Sequence, residues 1–237
     1  MHNKSSIFFS ILIIFLFIVG IYLDAISKSL IASSMITKKK SAKPVMPKYI
    51  AITFDDGPDI KTTPILLDGL KKRGIKATFF IIGENAEKYP EIIKRMSDEG
   101  HLIGNHTYSH INLQKISKSD AVSEITKTNT IIESNSGQMV KFIRPPYGSI
   151  PKDLQEETCL TPVLWTIDPR DWSVLNSVSV ARHIISRAHN GDIILLHDIF
   201  DTSVEAAFIV IDELQKHGFQ FVTADKLITP NKCKKSS

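Results

Sequence analysis

Hydrophobic and polar positions divide this chain into three regimes. Across residues 7–23 nearly every position is apolar, with only Ser10 and Gly20 interrupting and Lys4 ahead of the run. No helical projection of that stretch has a polar face, so it is not a buried soluble helix. Its length is just short of an ideal membrane span and long for a signal-peptide core, which would be removed at the weak Ala25-Ile26-Ser27 site. Residues 1–27 are therefore an N-terminal anchor or signal segment. Residues 28–48, rich in Ser, Lys and Ala with two prolines, read as a basic linker.

From Tyr49 the pattern changes to short apolar runs alternating with amphipathic stretches. Strands are expected over 49–54, 77–82, 101–104, 141–143, 161–167, 192–196 and 219–223. Between them lie helical patterns. One is capped at Thr62-Thr63-Pro64 and ends before Gly74. Another spans 90–99 and is closed by Gly100. A third runs from a Ser117 or Ser119 cap to about Ser134, with Gly137 following, and two more cover 177–188 and 204–216. Seven strands alternating with helices imply a parallel α/β domain over 49–230. The continuous apolar runs at Ile81-Ile82 and at 193–196 fit strands covered on both faces. A closed barrel and an open doubly wound sheet both satisfy the pattern.

An apolar content of 43% is enough for a sizeable core. The net charge of +4 is unevenly spread: residues 1–48 hold seven lysines against one aspartate, and the 231–237 tail holds three lysines, so the folded body is acidic. Lysines at the two ends are a feature of linker and tail, and no nucleic-acid partner is expected. Neither GxGxxG nor a P-loop occurs, so no nucleotide cofactor is expected either. Cys159 and Cys233 make no disulfide framework; Cys159 reads as a small core residue, the alternative being a bridge between the two in an oxidising compartment.

Polar residues collect after the strands. Asp55 and Asp56 follow the first and His106 and His110 the third. Arg144 follows the fourth, Asp168 and Asp171 the fifth, and His197 and Asp198 the sixth. In parallel α/β folds the carboxyl ends of strands share one face, where sites are built. Asp55 and Asp56, adjacent on an extended strand, are expected to point opposite ways. His106 and His110, four apart, share a face if they lie on one helical turn. With a carboxylate from Asp55 or Asp56 they make a 2-His-1-carboxylate set, suited to Zn²⁺ for hydrolysis and also able to hold Fe²⁺ in an oxygenase. His197 with the acids of 168–172 makes a usable general acid, which an amide hydrolase needs and an oxygenase does not. Arg144, beside a stiff Pro145-Pro146 pair, is an always-charged anchor for a carboxylate.

Residues 53–58, 106–110, 144–148, 168–172 and 195–198, in that order, resemble the motifs of the polysaccharide deacetylases that share the NodB-homology domain, a likeness covering about 49–228. The resemblance implies a distorted (β/α)₇ barrel and metal-dependent removal of N-acetyl groups from amino sugars. It assigns the general base to Asp55, the metal site to Asp56, His106 and His110, and the general acid to His197, oriented by Asp171. Arg144 would hold Asp55. The Tyr147 amide would face the oxyanion, and Trp172 and Leu195 would wall the acetyl methyl. The expected substrate is a GlcNAc-containing glycan, peptidoglycan or a chitin-like oligosaccharide, the ion Zn²⁺. An O-acetyl esterase on xylan-like polysaccharide and a catalytically silent glycan-binding module are the rivals. The lysines after the apolar run would by the positive-inside rule stay in the cytoplasm. A substrate in the envelope instead puts the domain outside, anchored to the membrane or secreted if the segment is cleaved.

Overall fold

The computed structural model describes residues 3–40 and 46–230, with side chains over 9–33 and 46–230. The chain divides into two compact units, Met1–Met46 and Pro47–Ser237.

The first unit is one helix, α1 (Asn3–Lys40). Its segment Phe9–Ser33, 25 residues of mean hydropathy 2.6, is long and apolar enough to cross a membrane. At 1.5 Å per residue it spans about 37 Å, against a hydrocarbon layer of about 30 Å. Helix α1 continues to Lys40, well into the stretch expected to be linker. Ser, Ala and Lys there do not oppose helix, and the two prolines that would lie further on.

The second unit alternates strands with helices. The first half contains β1 (Lys48–Asp55), α2 (Thr62–Lys72), β2 (Thr78–Ile81), α3 (Gly83–Lys88), α4 (Pro90–Asp98), β3 (Leu102–Asn105) and α5 (Lys118–Ser136). The second half contains β4 (Phe142–Ile143), α6 (Lys152–Thr158), β5 (Thr161–Pro162), α7 (Asp171–Val174), α8 (Ser177–Ile185), β6 (Ile193–His197), α9 (Asp201–Lys216) and β7 (Phe219–Phe221). All pairings are parallel, in the order β5-β4-β3-β2-β1-β6, with β7 added to the first residues of β1. The ring closes where Ile167 bridges to Ile194. This is the distorted (β/α)₇ barrel. The strand expected over 161–167 is interrupted: β5 stops at Pro162, and only Thr166 and Ile167 return to pair with β6. Helices α3, α6 and α7 have four to seven residues, too short to leave a helical period in the sequence.

Alternation along each strand sorts the core into two layers. Ile50, Ile52 and Phe54 of β1, Phe79 and Ile81 of β2, and Ile194 and Leu196 of β6 face outward and pack under the helices. Ala51, Phe80, Phe142, Val163 and Ile193 fill the barrel interior. Gly104 is required there, since a Cβ would come within 2.6 Å of the Phe80 ring. Carried forward by twos, the interior phase reaches Asp55 on β1, His106 after β3, Arg144 after β4, and Leu195 and His197 on β6. Strand parity thus turns these side chains to the inside of the barrel mouth.

Cys159, expected in the core, is exposed at the left-handed C-cap of α6 and is not a free thiol. Cys233 and the 231–237 tail lie outside the described residues.

Candidate active site

Asp55 ends β1 and is buried, while Asp56 takes a left-handed φ of 73°. That conformation, which aspartate tolerates better than most residues, breaks the expected opposition of the two acids. Asp56 is turned back over the same cavity, so both carboxylates face one histidine. His106 Nε2 is 3.4 Å from Asp56 Oδ1 and 3.9 Å from Asp55 Oδ2. The turn is braced from the start of α3: Asn85 Nδ2 donates to the Asp56 carbonyl at 2.8 Å, and the N–H of Ile82, the residue capping that helix, to the Gly57 carbonyl at 3.1 Å.

The two histidines do not share a helical turn. Residues 106–110 form a loop in which Thr107 and His110 have φ of 63° and 57°. These left-handed turns, costly at a β-branched threonine, bring the rings to 4.9 Å between centroids. His106 Nδ1 donates to the Arg144 carbonyl, which leaves the Nε2 lone pair facing the acids. His110 Nε2 lies 3.5 Å from Asp56 Oδ1. Asp56 Oδ1 is buried without a hydrogen-bond partner, and the three ligand atoms lie within 4.8 Å of one another. An unpartnered carboxylate oxygen between two imidazole nitrogens is the donor set a divalent cation takes, so these residues fit one. Burial raises the Asp56 pKa, but the surrounding imidazoles of His106, His197 and His110 outweigh it and hold the group below its usual value. His110 is pushed down by burial and by His106.

Arg144 is completely buried. Its Nη1 donates to Asp55 Oδ1 and to Thr53 Oγ1, both at 2.7 Å, and its Nε donates to the Val163 carbonyl at 3.0 Å. The guanidinium lies 4.2 Å from the Phe80 ring centroid, a contact worth on the order of 1–2 kcal/mol when desolvated. So dense a partner set offsets the several kcal/mol that burying a charge costs.

His197 and Asp171 come together from β6 and α7. His197 Nδ1 donates to Asp171 Oδ1 at 2.8 Å, Ser203 Oγ donates to Oδ2 at 2.6 Å, and Nε2 is left for the cavity. Burial pushes the imidazole down. The Asp171 hydrogen bond and the nearby acids overcome that and raise its pKa to about 9, so it carries a proton at neutral pH.

A cavity of about 390 Å³ joins these groups; Asp55, Asp56, His106, His110, Tyr147, Trp172, Leu195 and His197 all line it, and Arg144 sits behind Asp55. Tyr147 is 70% and Trp172 54% exposed at its rim, while Leu195 is buried in its wall. Asp168 also lines the cavity, accepting from the Arg170 amide at 2.8 Å. Trp165 and Phe200 belong to the lining as well, although the sequence did not single them out. For Phe200 the available signal was its place just past a strand end that carries a histidine. Asp198 follows the catalytic-face histidine in sequence but lies outside the cavity lining. It is wholly buried, and Thr63 Oγ1 donates to its Oδ2 at 2.5 Å and Thr62 Oγ1 to its carbonyl. The two threonines expected to cap α2 are spent on Asp198; Asp59 accepts instead from the Lys61 and Thr62 amides. Burial lifts the Asp198 pKa to about 7.

The chain is similar to known proteins over most of this unit. The profile of one family, polysaccharide deacetylase, matches residues 42–161. A peptidoglycan-N-acetylglucosamine deacetylase of Bacillus cereus is 40% identical over 193 residues, covering 78% of this chain and 70% of that protein. The peptidoglycan-N-acetylmuramic acid deacetylase PdaC of Bacillus subtilis is 42% identical over 180 residues; the match takes 76% of this chain but spans only 38% of that relative's length. The solved structure of the Bacillus subtilis peptidoglycan deacetylase PdaC superposes with a TM-score of 0.75 at 41% identity, covering 77% of this chain and 90% of that one.

Proposed function

The chain belongs to the polysaccharide deacetylase family, and we propose that it removes N-acetyl groups from GlcNAc-containing glycan, with cell-wall peptidoglycan as the substrate and chitin-like oligosaccharide as its close relative. The names of the Bacillus relatives support the peptidoglycan assignment. One arrangement carries the reading: the Arg144–Asp55 and Asp171–His197 pairs flank the Asp56, His106 and His110 ligand set in a single cavity.

Asp56, His106 and His110 would hold a divalent cation, Zn²⁺ being the ion that two imidazoles and a carboxylate suit for hydrolysis. Bound there, it would polarise the acetamide carbonyl and favour ionisation of water. Asp55, kept in place by Arg144, accepts a proton from the attacking water as its oxygen bonds to the carbonyl carbon. We assign the developing oxyanion to the Tyr147 amide, on the loop stiffened by Pro145 and Pro146. His197 donates its Nε2 proton to the amine as the carbon–nitrogen bond breaks, giving acetate and the free amino sugar. Trp172 and Leu195 enclose the acetyl methyl. Helix α1 is read as a membrane anchor or signal segment, with the domain on the side where cell wall lies.

Acetate release from peptidoglycan, chitin oligomers and acetyl-xylan, with and without chelator, tests this. Chelator-sensitive release from peptidoglycan is expected. Release from acetyl-xylan alone would move the assignment to esters, and no release from any of them would favour a silent binding module.

A further inference from the structure

The 106–110 loop carries two left-handed residues and both histidines, and α5 holds it in that shape from a distance in sequence. Glu124, in the N-terminal half of α5, accepts the backbone N–H groups of Tyr108 and Ser109 at 2.9 Å each through Oε2, and the Ser109 hydroxyl at 3.1 Å through Oε1. These are two of the amides lying between the two histidines. On the opposite side the first amides of α3 take the loop's carbonyls: Gly83 N–H donates to Thr107 and Glu84 N–H to Tyr108, both at 3.0 Å. Asn105 completes the frame, accepting the Thr107 amide at 2.7 Å while its Nδ2 donates to the Ile125 carbonyl of α5 at 2.9 Å. A strained backbone persists only where its surroundings over-determine it. Glu87 and Lys127 hold only the Tyr108 side chain; among the described residues, Glu124 is the side chain from outside the motif and its strand that takes the loop's backbone amides.

We propose that Glu124 is a positioning residue for the cation site: its carboxylate fixes the two amides between His106 and His110 and so sets the spacing of the two imidazole nitrogens. The inference rests on the reading of Asp56, His106 and His110 as ligands. It assigns to α5, a helix whose sequence resembles a plain amphipathic scaffold, a part in binding the ion. A charge-assisted bond to a backbone amide is stronger than a neutral one, and here one oxygen carries two.

The test is zinc affinity of the full-length chain, read by competition with a chromophoric chelator at a temperature where every variant is folded. Glu124→Ala is expected to bind zinc roughly 10- to 100-fold more weakly, the range for losing a partner that orients metal ligands. Glu124→Gln is expected to fall between Glu124→Ala and wild type, because a single amide oxygen can take both N–H groups and its NH₂ can reach the Ser109 hydroxyl, through neutral and weaker bonds. Glu133→Ala is the control. Its side chain on the same helix accepts the Val140 amide at 2.9 Å, away from the histidines; melting temperature should fall while zinc affinity stays. If Glu124→Ala does not fold, Glu124→Asp, which withdraws the carboxylate by one methylene, carries the test and should bind zinc more weakly. Wild-type affinity in whichever of these two variants is measured would overturn the inference. A wild-type chain that binds no zinc would overturn the ligand assignment beneath it.

Discussion

Asp171 grips His197 at two points: one carboxylate oxygen takes the ring Nδ1–H, and the other takes the His197 backbone amide, each at 2.8 Å. The ring cannot rotate without breaking a bond shared with the strand end, so its tautomer and direction are fixed together. Replacing Asp171 with Asn removes the charge that holds the imidazole protonated. The expected outcome is a loss of roughly 10²–10⁴ in kcat. The alkaline limb of the pH–rate profile should move down from about 9 towards the ordinary histidine value. An unchanged alkaline limb would assign the acid to another group.

The same bond makes stability depend on pH. His197 has a pKa near 9 in the folded protein and about 6.5 in the unfolded chain, so the folded state binds more protons between those values. Its contribution is complete below pH 6.5 and is lost as pH rises to about 9. Thermal melts of chelator-treated protein across that window should show a falling midpoint in wild type and a flatter one in Asp171→Asn.

Asp55 and Asp56 are separable by experiment. Asp55→Asn should retain zinc and lose at least about 10² in turnover, the general-base contribution. His110→Ala, at a side chain one third exposed, should fold and lose zinc. Equilibrium dialysis against zinc, paired with acetate release, distinguishes the two. Turnover near wild type in Asp55→Asn would remove it from the role of base.

Gly57 lies against the Asp198 carboxylate so closely that an added methyl would overlap it. Gly57→Ala is therefore expected to cost about 1–3 kcal/mol through overpacking. It should also lower zinc affinity, because the displaced backbone is the one carrying Asp56. Denaturant unfolding and zinc competition on the same protein check both effects.

Much of this site could be read from the sequence because strand ends announce themselves. An apolar run followed by an acid, a histidine or an arginine places that residue at the barrel mouth, and this held for Asp55, His106, Arg144 and His197. What could not be read was the backbone between motif residues. Adjacent acids were expected to diverge, but a left-handed Asp56 makes them converge. Histidines four apart were expected on a helix, but left-handed Thr107 and His110 bring them together from a loop. Propensity patterns do not encode single residues of unusual φ. Long-range partners are equally hidden: Thr62 and Thr63 have the sequence context of helix caps but bond to Asp198, and nothing in α5 marks Glu124.

Strand β1 pairs with β2, with β6 and, through its first residues, with β7. Its backbone hydrogen bonds are shared among three neighbours, so β1 is expected to open to solvent only when the whole barrel does. Asp55 stands at the end of that strand, and its place in the cavity is therefore expected to last as long as the fold itself.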